Sequence, residues 1–110
     1  MRQAQITVLE RLRDFEADFT TEPFETSWAG EATLFVLRHE AAHANDYLEV
    51  VPQISADGIN FCDADEAMVM RGDEAVKYIQ LRHFAGALRF VVRLSHGARF
   101  KLTVQLHLKE

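Results

Sequence analysis

The sequence lacks several features that would assign it to a familiar class. It has one cysteine, Cys62, so the chain cannot form an internal disulfide and its fold does not depend on an oxidising compartment. No apolar run approaches the ~18 residues of a membrane span, and the first residues lack the apolar segment of a secretory signal. We therefore expect no membrane partner.

Basic residues are also scarce. The chain has 12 Lys and Arg against 17 Asp and Glu, which gives a net charge of −5. A nucleic-acid backbone requires concentrated positive charge, so we expect no nucleic-acid partner. What is present is ordinary for a globular protein: 110 residues, 48% of them hydrophobic, with eight phenylalanines. This length predicts a single domain over residues 1–110.

The last third of the chain alternates between apolar and polar residues. A period of two places one set on each face of a β-strand. The pattern predicts strands over residues 88–94 and 100–108, and it predicts that the short turn at residues 95–98 joins them as a hairpin. The residues expected in the core on these strands are Phe90, Val92, Leu102, Val104 and Leu106.

Further short strands precede these two. Residues 32–39, 47–55 and 76–84 each read as a strand, and Asp57-Gly58 is a strong turn signal. In residues 32–39 both faces are apolar, which predicts a strand covered on both sides. Short strands at this spacing predict an all-β protein, an antiparallel β-sandwich of jelly-roll type.

The N-terminal segment is ambiguous by pattern alone. Apolar residues over 6–19 fit a helix at spacings of three and four, whereas the second half also alternates. Because the rest of the chain is β, we favour a strand or extended arm. The break at Pro23 would let residues 1–22 leave their own domain and act as an N-terminal strand or exchange arm.

One segment matches a catalytic motif letter for letter. His39-Glu40-Ala41-Ala42-His43 is a His-Glu-x-x-His sequence, which on a helix binds zinc through both imidazoles. A β-like run ends just before the motif and another begins just after it. We therefore interpret the segment as a polar loop and treat a zinc hydrolase built on His39 and His43 as the third-ranked function.

A second candidate is an acidic cluster that could hold calcium. Calcium takes six to eight oxygen ligands, but the spacing here is not that of an EF-hand loop. We interpret the cluster as a solvated acidic turn. Its members are Asp57, Asp63, Asp65 and Glu66.

Five residues are candidates for a protein interface. Trp28 lies in a turn beside a glycine, where an aromatic side chain can serve as an anchor. Phe15 and Phe19 belong to the N-terminal arm, which we expect to contact an adjacent subunit. Arg89 and Arg93 are expected near the acidic side of that arm.

The segment 48–61, LEVVPQISADGINF, resembles a recurrent phrase in small structural proteins of tailed bacteriophages. In that phrase an apolar strand runs into Gln-x-Ser-x-Asp-Gly and then an aromatic residue. The flanking strands at 32–36 and 88–94 are similar as well. The resemblance covers residues 28–108, but the segment 10–16 is more charged than the arm of such proteins.

The resemblance implies a β-sandwich that sits on a capsid or tail lattice as a decoration, cement or minor head or tail protein. Such a protein would be non-enzymatic and homo-oligomeric, would need no cofactor, and would be located in the virion after synthesis in the bacterial cytoplasm. The alternative function is a carbohydrate-binding β-sandwich module that uses Trp28 and loop residues.

Overall fold

The regular structure of the chain consists of strands. A computed structural model describes residues 4–82 and 84–110, and no helix occurs within these ranges that is long and apolar enough to span a membrane. The strands are β1 (Ala4–Phe15), β2 (Phe19–Thr20), β3 (Phe24–Glu25), β4 (Glu31–Arg38), β5 (Tyr47–Ser55), β6 (Cys62–Asp63), β7 (Met68–Arg71), β8 (Val76–Leu81), β9 (Ala87–Leu94) and β10 (Phe100–Lys109).

The strands form two antiparallel sheets. Sheet A has the order β1-β10-β4-β8. In sheet B, β9 and β5 pair at the centre, with β2 and β3 along the outer edge of β9 and β6 and β7 along the outer edge of β5. Each sheet is therefore four strands wide.

The strand order is that of a jelly roll. With β2 and β3 counted as one position and β6 and β7 as another, the chain has eight positions, ordered 1-8-3-6 in sheet A and 2-7-4-5 in sheet B. Successive positions alternate between the sheets except at the fourth and fifth, which gives two interlocked Greek keys. The predicted antiparallel β-sandwich of jelly-roll type is confirmed.

The predicted terminal hairpin is wrong. β9 lies in sheet B and β10 in sheet A, so residues 95–98 connect the sheets rather than two paired strands. The turn itself forms, with Gly97 at φ 74° and the Ala98 amide donating to the Ser95 carbonyl at 3.0 Å. A tight turn can begin either a hairpin or a crossing, and the local pattern does not distinguish them.

The N-terminal segment is a strand, and the helical alternative is wrong. β1 pairs with β10 from Ala4↔Lys109 to Phe15↔Phe100, with irregularities near Glu10. Leu12 there has φ 50°, a left-handed conformation that a leucine rarely adopts. Its amide donates to Thr103 Oγ1 at 3.0 Å, which holds the irregular backbone against β10. The segment 1–3 lies outside the described residues.

The core lies between the inner faces of the two sheets. Phe90 and Val92 of β9 face Leu102, Val104 and Leu106 of β10 from opposite sheets, and each is at most 1% exposed. The predicted core is therefore correct, although its two strands are not adjacent. The third predicted strand, 76–84, ends at Leu81, and His83 lies outside the described residues.

Candidate docking face

The outer face of sheet B is charged and paired within the chain. Arg93 lies 3.5 Å from Glu49, and Arg89 Nε donates to Gln53 Oε1 at 2.8 Å. Gln53 in turn donates to Asp63 at 2.8 Å. Both predicted interface arginines thus have a partner from their own chain, and their interface role remains a prediction.

The outer face of sheet A differs sharply in composition. The strand register places eleven of its side chains in rows across β1, β10, β4 and β8. Leu12 lies in the bulged part of β1, where its amide donates to Thr103, and it completes the third row. None of these twelve positions is Asp, Glu, Lys or Arg, although such residues make up 26% of the chain. We call this surface the uncharged face. Its rows are Ile6–His107–Thr33–Gln80, Val8–Gln105–Phe35–Tyr78 and Leu12–Thr103–Leu37–Val76.

Large apolar side chains of this face are open to solvent. Tyr78 is 59% exposed, Val76 55%, Leu12 53% and Ile6 66%. Four of the seven exposed large hydrophobic residues found in the described ranges therefore lie on this one surface. Interface centres are likewise depleted of charge and enriched in aromatic residues.

An aromatic group occupies the middle of the uncharged face. The Phe35 ring meets the His107 imidazole edge-on at 5.0 Å and lies 5.9 Å from the Tyr78 ring. These three side chains come from neighbouring strands in a regular sheet, so their backbones are held by ladder hydrogen bonds. A rigid aromatic centre of this kind suits protein recognition, because little side-chain freedom is lost on binding.

The sequence of β4 contained a signal for this surface. Both faces of the strand are apolar, which predicts cover on both sides. Leu34 and Val36 are buried against sheet B, as expected. Phe35 and Leu37 point outward and are half-buried by their neighbours in the sheet. In the single chain the outer side of β4 is therefore not covered by a second layer.

Charged residues border the uncharged face at both ends of its strands. At one end Lys109 lies 3.9 Å from Glu31. At the other end Lys101 lies 3.5 Å from Glu40, beside Asp14 of β1. Each end thus carries both signs of charge, and a Glu10–Arg13 ion pair at 3.3 Å lies on the bulged part of β1 along one edge of the face.

The other predicted interface residues pack within the chain. Phe15 is 6% exposed and stacks on Phe19 with ring centroids 3.8 Å apart, at the point where the chain crosses from sheet A to sheet B. Trp28 is half-buried and packs against the core. Their interface role remains a prediction, and for Phe15 it would require β1 to leave its own sheet.

The acidic side of the arm meets a different arginine from those predicted. Arg99 lies 3.6 Å from Asp14 and 3.7 Å from Glu16. Arg89 and Arg93 are on the other sheet, so the predicted pairing of either with these acids does not occur within the chain. The alternating pattern of the arm predicted that Asp14 and Glu16 share one side. The arginine that reaches them is decided by residues 95–98, which cross between the sheets.

The His-Glu-x-x-His segment is a loop, as predicted. His39 Nε2 lies 2.6 Å from Thr103 Oγ1, whereas His43 Nδ1 accepts from the Asn45 amide at 3.3 Å. The two imidazoles thus have separate partners in a non-helical connection between β4 and β5. Over residues 4–82 and 84–110, no group of three or more His, Cys, Asp or Glu side chains is placed to hold a metal ion.

Asp57 stabilises a turn. Its carboxylate accepts hydrogen bonds from the Asn60 amide at 2.8 Å, the Ile59 amide at 2.9 Å and the Asn60 side chain at 2.8 Å. These hydrogen bonds hold the pKa of Asp57 far below its ordinary value, since they favour the ionised form. Gly58 has φ 78°, so the predicted Asp-Gly turn is confirmed.

The strand order places the chain among jelly-roll β-sandwiches. A solved structure has a similar fold. No protein-family model matches the chain, and no curated protein matches its sequence. The crystal structure of the SPBc2 prophage-derived protein YomS is similar to it, with a TM-score of 0.63 over 100% of this chain and 96% of that chain. At 10% sequence identity, this similarity establishes a shared fold alone.

Proposed function

We propose that this chain is a non-enzymatic structural subunit of a bacteriophage particle. In this role it binds a capsid or tail lattice as a decoration, cement or minor head or tail protein. The uncharged face is the observation that carries the proposal. Its exposed apolar side chains gain most from being covered by another protein.

The fold supports the phage assignment. Jelly rolls serve both viral capsid and lectin domains, and a fold by itself does not define a function. A prophage-derived protein shares the fold over the whole length of this chain. Together with the resemblance of residues 28–108 to small phage structural proteins, this favours the virion over other locations.

The charge distribution favours a protein partner. The uncharged face offers no Lys or Arg side chain to a phosphate, and the net charge of the chain is −5 with histidine neutral. Covering this face removes no Asp, Glu, Lys or Arg from water, so its burial avoids the desolvation cost of ionic groups. A protein lattice that presents a matching apolar surface therefore suits the site better than a nucleic acid does.

The carbohydrate-binding alternative has less support. Its expected anchor, Trp28, is half-buried and packs on the core rather than standing free in a loop. A sugar-stacking role requires an open ring face. The alternative remains a prediction that saccharide-dependent fluorescence of this single tryptophan would test.

The direct experiment is to look for the chain in particles. A C-terminal tag can be added after the exposed Glu110. Particles purified on a density gradient from the bacterium that encodes the chain should contain the tagged protein at a fixed ratio to the major capsid or tail subunit. Recovery of the protein solely in the particle-free fraction would contradict the proposal.

A further inference from the structure

We propose that a second copy of this chain covers the uncharged face, so that two sheets A pack face to face about a two-fold axis. This inference rests on the proposed function in taking the uncharged face as a docking surface, and it names the partner. The argument draws on charge, area, the sheet edges and the arrangement of charges at the two ends of the face.

Charge is the first step. A partner surface that brought an unpaired Asp, Glu, Lys or Arg onto the uncharged face would lose its hydration and find no opposite charge there. The matching surface must therefore be uncharged and apolar over the same extent. The same face of a second copy meets this requirement, and face-to-face contact between identical patches is the usual form of a two-fold interface.

The area of the face indicates a weak contact. Strands lie about 4.8 Å apart and alternate residues about 6.8 Å apart, so three rows across four strands cover roughly 400 Å². Two such faces bury about 800 Å² in total, below the ~1,200 Å² of a stable interface. The pair is thus expected to be a weak dimer in solution, which dissociates at low concentration and is reinforced where subunits are held close together.

The edges of sheet A are less suitable for pairing copies. The β1 edge is irregular near Glu10 and carries the left-handed Leu12, which disrupts strand addition. The β8 edge is regular, but Asp65 and Glu66 line the clefts beside it. A second copy paired along this edge would have to pack against these acids.

The charges at the two ends agree with a two-fold arrangement. An axis in the plane of contact and perpendicular to the strands places the Glu31–Lys109 end of one copy over the Glu40–Lys101 end of the other. Each end carries both acidic and basic side chains, so opposite charges can meet on both sides. The axis also brings the apolar middle row, with Phe35 and Tyr78, near its counterpart.

Sedimentation of the full chain tests this proposal. The molecular weight should rise from monomer to dimer between about 5 μM and about 1 mM, the range in which weak interfaces associate. Because the centre of the contact buries no Asp, Glu, Lys or Arg and the charges that meet lie at its exposed ends, high salt should weaken the dimer by less than about tenfold.

Two matched pairs of variants locate the contact. Tyr78→Glu and Val76→Glu place a charge on the uncharged face and should weaken the dimer at least about tenfold. Tyr47→Glu and Val69→Glu place the same charge on the outer face of sheet B, where the original residues are 46% and 43% exposed. These two control variants should change the dissociation constant of the dimer by less than about twofold. Circular dichroism would verify that all four variants keep the native fold.

The outcomes separate this inference from the proposed function. A chain that stays monomeric at about 1 mM, or that dimerises equally well with Tyr78→Glu, overturns the two-fold packing. If such a monomer still enters particles, the proposed function survives while the inference fails. A dimer that Tyr78→Glu disrupts supports the inference even if the chain is absent from particles, in which case the proposed function fails.

Discussion

Substitution of Val104 by alanine tests the register of the central strand of sheet A. Val104 lies opposite Glu10 on β1 and Val36 on β4, and its side chain is fully buried toward sheet B. Removing two buried methyl groups at about 0.8 kcal/mol each costs about 1.6 kcal/mol. The cavity left behind raises the expected loss to about 2–3 kcal/mol.

Urea denaturation at low protein concentration would measure this loss. With an m-value of about 1–2 kcal/mol per M, the midpoint should fall by at least ~1 M at unchanged slope. Val76→Ala is the matched control, because Val76 is 55% exposed on the uncharged face and should lose less than about 0.5 kcal/mol. If Val104→Ala costs as little as this control, β10 presents its other face to the core and the account of both faces is wrong.

Three further predictions concern the turns and the irregular β1 strand. Gly58→Val should lower the free energy of unfolding by about 1–3 kcal/mol, and Gly58→Asn by less, since φ is 78° there; equal effects in urea would contradict this. The lowered pKa of Asp57 contributes stability that is present above about pH 4 and is lost as the pH falls further. The difference in free energy of unfolding between the native chain and Asp57→Asn should therefore shrink below about pH 4. A difference that does not change with pH would refute this. Thr103→Val removes the acceptor of the Leu12 amide and should lower the free energy of unfolding by about 1–3 kcal/mol. Hydrogen exchange at that amide should become faster. Unchanged exchange would show that the hydrogen bond is unimportant.

The elements that local pattern specifies could be predicted from the sequence. Strict alternation over residues 100–108 fixed both the strand and its buried face, because the period of two depends on no distant residue. The Asp57-Gly58 turn was predictable for the same reason, since positive φ is a local property of glycine. The fold class followed from the spacing of several such strands.

The pairing of strands could not be predicted in this way. The turn at residues 95–98 has the same local chemistry whether it joins neighbours in one sheet or crosses between two. The partners of β9 and β10 are set by distant strands, β5 for one and β1 and β4 for the other. The choice of Arg99 rather than Arg89 beside Asp14 depends on that pairing.

The candidate site was missed for a related reason. Its twelve positions come from four strands that are far apart in the sequence, so its lack of charge becomes visible when the register is known. The apolar pattern on both sides of β4 was the one local signal. The sequence suggested an interface role for Arg89, Arg93 and Trp28 instead, because charged and large aromatic residues are common in interfaces.

Photo-crosslinking in assembled particles tests the central claim most directly. A benzophenone side chain is placed at position 78 on the uncharged face, or at position 47 on the outer face of sheet B as the matched control. We expect crosslinks from position 78 to a second copy of this chain, and none from position 47. Crosslinks from position 78 to a lattice subunit alone would support the docking face but overturn the two-fold packing. Crosslinks from position 47 with none from position 78 would contradict the assignment of the uncharged face as the docking surface.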